Sequence, residues 1–305
     1  MSARPQIAIV VVSYNTRSLL LECLASVTES TPGESLELVV VDNASDDGSF
    51  EAARAACPQG VFIRNSTNLG FGAACNQAIR QTSAPLILLL NSDARLTADA
   101  FTALIDLLDS NSRCGAAGCR LTDAQGRERV SARNFLTPLN QAFELLSITK
   151  LFRSRYFSRT HHLQLDRNLT DCSVDWLEAA CLIVRRAALD ETGLFDERFF
   201  MYSEDEDLCR RLKNHDWSVC FTGQGAAIHH GGQSSATRRL EMLCRFYSSQ
   251  MLFLSKHRGR ASVSLYRFAM KSALILKRFL LRGEARRKES AERLVAFRRA
   301  CANRT

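Results

Sequence analysis

The chain has 305 residues, 46% hydrophobic and 24% charged, which excludes a disordered or low-complexity protein and suffices for one large core or two small ones. Its formal charge of +8 is carried by the C-terminus: residues 256–305 hold fifteen Lys and Arg against three Glu, a net of +12, leaving −4 for residues 1–255. A basic tail on a slightly acidic body, without base-stacking or groove-reading motifs, excludes nucleic acid as the expected partner.

In chain order, the first strand-like run is IAIVVVSYN (7–15), followed by LELVVVDNAS ending at Ser45, VFIRNS (61–66) and PLILLLNSDA (85–94). These β-branched and Leu-rich runs suit strands buried on both faces. Helical periodicity follows each of them, over Arg17–Ser30, Ser49–Cys57, Gly72–Gln81 and Asp99–Ser110. The alternation predicts an α/β fold with a mostly parallel, helix-flanked sheet, whose ligands bind at the carboxyl ends of the strands. From about 129 to 172 the pattern weakens into helical turns and loops that shape a binding surface. A strand returns over 174–186, a helix over 207–217, and a turn with a short strand ending in His229 over 218–232. A last helical region starts near Thr237. The eleven cysteines are odd in number and sit singly in apolar stretches with no secretory segment ahead of them, which predicts reduced thiols in a cytoplasmic protein. Cys114 and Cys119 are the closest pair, and no neighbouring His or second Cys pair completes a zinc set.

The strand ends carry the chemistry. Ser13-Tyr14-Asn15, Asp42-Asn43 and Asn91-Ser92-Asp93 converge at one edge of such a sheet. Asp46 or Asp47 reads as the cap of a helix starting near Ser49, whereas Asp42 is placed to accept hydrogen bonds from a base or ribose. In NLGFGAACN (68–76), Gly70-Phe71-Gly72 is like part of a dinucleotide fingerprint, but Cys75 takes the third glycine position and the segment follows the third strand. Its glycines read instead as permitting close approach of a nucleotide or a neighbouring helix. Asn91-Ser92-Asp93 either ends a strand or supplies a carboxylate to a divalent cation that offsets a diphosphate. Glu204, Asp205, Glu206 and Asp207 precede a helix and exceed what capping uses, so one can serve as a general base. His229, with His230 as the alternative, ends a strand before two glycines and can join Asp93 as a metal ligand.

Taken in order, VVVSYN, VDNASDDGS, NLGFGAACNQAI, LLLNSDA, LFDERFFMYSEDEDLCRRL and HHGGQSS resemble the family 2 glycosyltransferases of GT-A fold, rhamnosyltransferase-like members in particular, over roughly residues 6–255. The resemblance implies a GT-A (nucleotide-diphospho-sugar transferase) domain over 1–255 with a basic amphipathic helical tail over 256–305. It implies an inverting transferase, with a nucleotide-diphosphate sugar donor bound by Ser13, Tyr14, Asn15, Asp42, Asn68, Gly70, Asn76, Asn91 and Ser92. Asp93 and His229 (or His230) would hold Mg²⁺ or Mn²⁺, Asp205 would be the general base, and Glu204 would stand beside it. The acceptor would be a glycan or polyprenyl-linked saccharide of cell-surface polysaccharide synthesis. Two departures stand out: Asn91 replaces the first acid of the metal motif, and Ala179-Ala180 replaces Gly-Ala, narrowing the acceptor side. A sugar-1-phosphate nucleotidyltransferase would need a Gly-rich basic loop after the first strand, and VSYNTRSLL (12–20) has no glycine. A non-catalytic glycan- or lipid-binding module would have no need of Asp42, Asp93, Asp205 and His229 together.

The tail stretch SLYRFAMKSALILKRFLLRG (264–283) reads as an amphipathic helix. Leu265, Phe268, Ala269, Ser272, Leu276, Phe279 and Leu280 fall on one side, and Arg267, Lys271, Arg278 and Arg282 form a stripe on another. Lys271 and Lys277-Arg278 interrupt it too early for a spanning helix. The expectation is peripheral attachment to an anionic membrane, on its cytoplasmic face, against the alternative of a helix packed on the catalytic domain.

Overall fold

The computed structural model describes residues 6–31, 35–146, 171–231, 239–280 and 284–302. Two compact units divide the chain: Met1–Ala132, Gln164–Arg198 and Asp205–Ser234 form one, and Arg133–Leu163, Phe199–Glu204 and Ser235–Thr305 the other.

The first unit is built on strands β1 (Ile7–Ser13), β2 (Leu36–Asp42), β3 (Val61–Arg64), β4 (Leu86–Asn91), β5 (Ala94–Arg95), β6 (Cys114–Thr122), β7 (Glu128–Arg129), β8 (Ala132–Arg133), β9 (Cys172–Ser173), β10 (Trp176–Leu177), β11 (Cys181–Arg185) and β12 (Ser218–His229). Between the first strands run helices α1 (Arg17–Ser30), α2 (Ser49–Ala56), α3 (Phe71–Gln81) and α4 (Ala98–Ser110). Each lies within a residue of its expected bounds. The main sheet has the order β3-β2-β1-β4-β11-β6-β12-β5. Apolar residues on both faces of β1 and β4 are buried, and Ile9, Val11, Leu88 and Leu90 join Leu20 and Leu24 of α1 and Leu104 of α4 in one core. The period-3.6 apolar stripe of α1 thus meets a strand face with nothing polar to solvate. Thr97 caps α4 by accepting from Ala100 N at 3.1 Å.

The sheet has its longest ladders parallel, as expected, with antiparallel pairings added around β11 and at the edges. It is parallel from β3 to β4 and again between β6 and β12, but β11 runs antiparallel to both its neighbours. A strand entering antiparallel needs no helical crossover, so a short turn after β10 suffices to feed β11. Residues 218–229 form one long strand, not the expected turn and short strand. The register shifts between Phe221 and Ala226, where Gly225 adopts φ +71° with its backbone so close to Asp99 that a Cβ would lie 2.5 Å from the carbonyl oxygen. The irregularity is a bulge inside a strand. After β11 come α6 (Arg186–Thr192) and α7 (Glu204–Asn214).

In the second unit, α5 (Asn140–Leu145) accompanies α8 (Arg239–Leu280), which breaks at Gly259, and α9 (Glu284–Ala302). Tyr247 and Tyr266 set their rings against Phe297 at 5.2 and 6.1 Å, and Phe253 stacks on Phe135 at 6.2 Å. The domain boundary expected after residue 255 falls inside α8. The tail forms the expected helix, but its packed side is Tyr266, Met270, Ala273 and Leu274, while Leu265, Phe268, Leu276, Phe279 and Leu280 are exposed. Among the described residues no helix is long and apolar enough to cross a membrane.

Candidate active site

Sheet register places three strand ends side by side: Ser13 lies opposite Asp42, and Val12 opposite Asn91. A chain of hydroxyls ties them, Ser13 Oγ to Thr16 Oγ1 at 3.1 Å and Thr16 Oγ1 to Ser92 Oγ at 2.9 Å. Asp42 is buried; its Oδ1 accepts from Ser45 N at 3.0 Å, while Oδ2 is enclosed without a donor. Leaving such an oxygen unmatched is costly, and an N–H or O–H of a bound base or ribose would satisfy it. Asn15, exposed and at φ 52°, accepts from Asp46 N and donates its own N–H to Ser45 Oγ, linking the loops that leave β1 and β2. Tyr14 beside it is half-buried. The N-cap of α2 is Gly48, at φ 78°, and not the expected Asp46 or Asp47; Asp47 just ahead of it accepts from Arg17 N and Ser49 N at 2.9 and 3.0 Å, the first residues of α1 and α2.

Two of the expected donor-binding residues are engaged in bracing. Asn68 Oδ1 accepts from Gly70 N and from Asn43 Nδ2, shaping the turn into α3. Asn76, fully buried, donates to Phe195 O and Glu197 Oε1 and accepts from Phe195 N, so both ends of its amide hold the 195–197 segment. Gly70 starts α3 and offers its carbonyl to Asn43 at 3.1 Å.

Past β4 the chain presents Asp93, and β12 delivers His229 through its pairing with Ala94. His229 Nε2 lies 3.2 Å from Asp93 Oδ1 and 3.4 Å from Asn91 Nδ2. Burial pushes the Asp93 carboxyl up, but the hydrogen bond and charge of His229 and the backbone N–H groups of Asp93 and Gly231 outweigh it, leaving it below the usual range and ionised near neutrality. His230 N donates to Asp93 O at 2.9 Å, and Nε2 of its ring is enclosed without a partner. One carboxylate and one imidazole, with Nδ1 of that imidazole enclosed and without a partner, are a donor set that suits Mg²⁺ or Mn²⁺ completed by phosphate oxygens. Among the described residues no cluster of three or more His, Cys, Asp or Glu forms a self-sufficient cage. Sequence reasoning missed Arg129. Its Nη1 donates to the carbonyls of His229 and His230 at 3.2 and 2.8 Å, clamping the end of β12. Gly231, at φ +70°, makes the room: a Cβ there would meet the guanidinium at 2.2 Å.

The acidic cluster separates by contact. Asp207 is completely buried and pairs with Arg211 at 2.9 Å, whose other nitrogens hold the carbonyls of Thr192, Gly193 and Leu194. Glu204 and Glu206 are buried, whereas Asp205 is half-buried. Its Oδ1 accepts from Glu206 N at 2.9 Å and its Oδ2 from Ala179 N at 3.3 Å. The next residue, Ala180, accepts from Asn91 N at 3.0 Å through its carbonyl. The Ala179-Ala180 dipeptide therefore ties the acidic helix start to the strand that ends in Asn91-Ser92-Asp93. Tyr202 and Ser203 just upstream both hold positive φ, 70° and 62°, a backbone state that non-glycine residues occupy at a cost and that recurs at functional sites.

The glycosyl transferase family 2 model matches residues 8–191. The chain belongs to this family. This family 2 transferase is 28% identical over 285 residues, covering 90% of it and 92% of the relative, to the N-acetylglucosaminyl-diphospho-decaprenol L-rhamnosyltransferase of Mycobacterium tuberculosis. It is 27% identical over 172 residues, 53% of this chain and 61% of the other, to the rhamnosyltransferase WbbL of Escherichia coli. Its fold is GT-A, shared with the Pyrobaculum calidifontis mannosyltransferase PcManGT solved with GDP-Man and Mn²⁺, at TM-score 0.62 and 14% identity over 99% of this chain and 87% of that one. S. aureus TarS follows at TM-score 0.52 and 14% identity, covering 97% and 90%. The family 2 transferase is thus a sugar-transferring enzyme, and neither the nucleotidyltransferase nor the non-catalytic reading is supported.

Proposed function

We propose that this glycosyltransferase moves a rhamnosyl residue from a nucleoside-diphosphate donor to a hydroxyl of a polyprenyl-diphosphate-linked saccharide, with inversion at the anomeric carbon. The observation that carries the reading is the end-to-end match to the mycobacterial rhamnosyltransferase, whose name specifies a lipid-linked acceptor. Such an acceptor locates the work at a membrane, which agrees with a net +12 over residues 256–305.

In this reading Asp42 receives the base or ribose on its unmatched Oδ2, and Ser13, Tyr14, Asn15 and Ser92 line the approach of the diphosphate. Asp205, accessible where its acidic neighbours are buried, takes the proton of the acceptor hydroxyl while that oxygen bonds to the anomeric carbon. The bond from that carbon to the diphosphate breaks, and the nucleoside diphosphate leaves. Asp93 and His229 would hold Mg²⁺ or Mn²⁺, which neutralises charge developing on the leaving group. With Asn91 in place of a second acid the chain would offer the ion a single carboxylate, so the donor's phosphate oxygens would have to supply further ligands and metal and donor would bind interdependently. Arg129 fixes the end of β12 so that His229 stays against Asp93.

The test is transfer by the purified chain, with and without chelator, from a panel of nucleotide sugars to a polyprenyl-diphosphate-linked N-acetylglucosamine. Metal-dependent formation of a rhamnosylated lipid with inverted configuration is expected. Release of nucleoside diphosphate only from a different sugar, or full activity after exhaustive chelation, would overturn the donor or the metal assignment respectively.

A further inference from the structure

The C-terminal part of α8 has three differently furnished sides. At 3.6 residues per turn, Tyr266, Met270, Ala273 and Leu274 share one arc, and all four are buried within the second unit. Next to it runs the basic stripe of Arg267, Lys271 and Arg278, the last two exposed. The remaining arc holds Leu265, Phe268, Ile275, Leu276, Phe279 and Leu280, exposed by 45, 72, 37, 48, 78 and 65%. Single exposed hydrophobic residues are ordinary, but six on one side of one helix form a patch of the kind that marks an interaction surface. Two phenylalanine rings, about 16 Å apart along the axis, are left more exposed than any other large apolar side chain described.

We propose that this face docks on an anionic lipid bilayer, with Phe268 and Phe279 inserted at the headgroup boundary and Lys271 and Arg278 set against lipid phosphates. The proposal deepens the lipid-linked-acceptor reading and names the surface that meets the membrane. Three features select lipid over a second copy of the chain. The basic stripe borders the apolar face, so a symmetric pairing would bring two positive stripes together, whereas an anionic surface complements them. An isolated interfacial helix keeps a polar back toward water, and here the protein itself covers that back through Tyr266, Met270 and Leu274. The face is apolar along four turns, while Lys271 and Lys277-Arg278 on the other sides break the apolar run of the sequence, which suits a helix lying in the interface and not one crossing it.

Because Phe268 and Phe279 point to solvent, replacing both by Ser leaves the packed core of α8 intact. The experiment is flotation of the full chain with vesicles of phosphatidylglycerol and phosphatidylcholine, or of phosphatidylcholine alone, at low and high salt. The native chain is expected to float with the anionic vesicles. Phe268→Ser/Phe279→Ser should weaken partition at least about tenfold, and Lys271→Gln/Arg278→Gln should weaken it at low salt while flattening its salt dependence. Transfer to a short water-soluble acceptor analogue should be unchanged in all variants. Equal flotation of native and Phe-substituted chains, or equal binding to neutral and anionic vesicles, overturns the proposal. So does a native dimer that the Phe substitutions convert to monomer in sedimentation, since the face then pairs with itself. Vesicle binding without rhamnosyl transfer would sink the substrate reading and leave this surface standing.

Discussion

Asp205 differs from Asp207 in what it touches: the N–H groups of Glu206 and Ala179 donate to its two oxygens, whereas Asp207 pairs with the Arg211 guanidinium. Asp205→Asn keeps one of the two backbone N–H contacts, since its single carbonyl oxygen can replace only one carboxylate oxygen, and it removes the proton sink, so turnover should fall by about 10² or more with donor affinity nearly unchanged. Calorimetric donor binding alongside single-turnover rates checks this, and native-like rates would remove Asp205 from the role. The thiols supply a second residue-scale expectation. Burial pushes Cys23 far above the ordinary thiol range and Cys209 to about 12, so neither forms a thiolate near neutrality. Alkylation of the native chain should label the half-buried Cys172, Cys244 and Cys301 first, read by peptide mass spectrometry; early labelling of Cys23 or Cys209 would contradict the packing. At this scale the sequence singles out Asp42, Asp93, Asp205 and His229 as candidates because each stands at a strand or helix end, where ligands of such sheets bind, and the structure brings His229 within 3.2 Å of Asp93. Arg129 and Thr16 were not legible, since a guanidinium on two carbonyls and a hydroxyl between two others leave no spacing to read. Nor was the bracing by Asn68 and Asn76, because an amide written beside a glycine loop gives no sign of which way it points.

Helix α7 carries a half-buried Asp205 two residues before a fully buried, paired Asp207. Asp207 and Arg211 lie one turn apart on its buried side, and the guanidinium fastens the helix to the chain at 192–194. Asp207→Ala would leave that guanidinium without its counter-charge and should cost about 3 kcal/mol of stability, measured as a lowered denaturant midpoint. An unchanged midpoint would show the pair to be dispensable. Elements with strong periodicity were readable: α1 runs over the residues that its apolar stripe marks, and β1, β2 and β4 are continuous apolar runs. Strand β6 was not, because CGAAGC carries Ala and Gly where a strand usually shows β-branched residues, and its place between β11 and β12 supplies the burial that propensity lacks. In β12 the glycines at 223 and 225 imitate a turn, yet Phe221 and Ala227 on either side stay in the same ladder with β6.

At the scale of the whole molecule, the charge step near residue 256 is real but marks no boundary of structure. Residue 256 lies inside α8, three residues before its break at Gly259, and buried residues stand on both sides of it, Tyr247, Phe253 and Leu254 before and Tyr266, Met270 and Leu274 after. The first unit is assembled from three separate stretches of chain, and its sheet interleaves early and late strands: β11 sits between β4 and β6, and β12 beyond β6. A chain emerging from the ribosome therefore exposes two unpaired apolar edges, on β4 and on β6, until residues 181–185 arrive to join them. Non-local pairing of this kind is slow and vulnerable to association. A polypeptide ending at residue 180 should accumulate as insoluble material, assayed by fractionating expressing cells, and a soluble monomer would refute this. The same interleaving makes birth order matter: the nascent protein must wait, edges open, for a strand encoded some sixty codons after the one beside which it will lie.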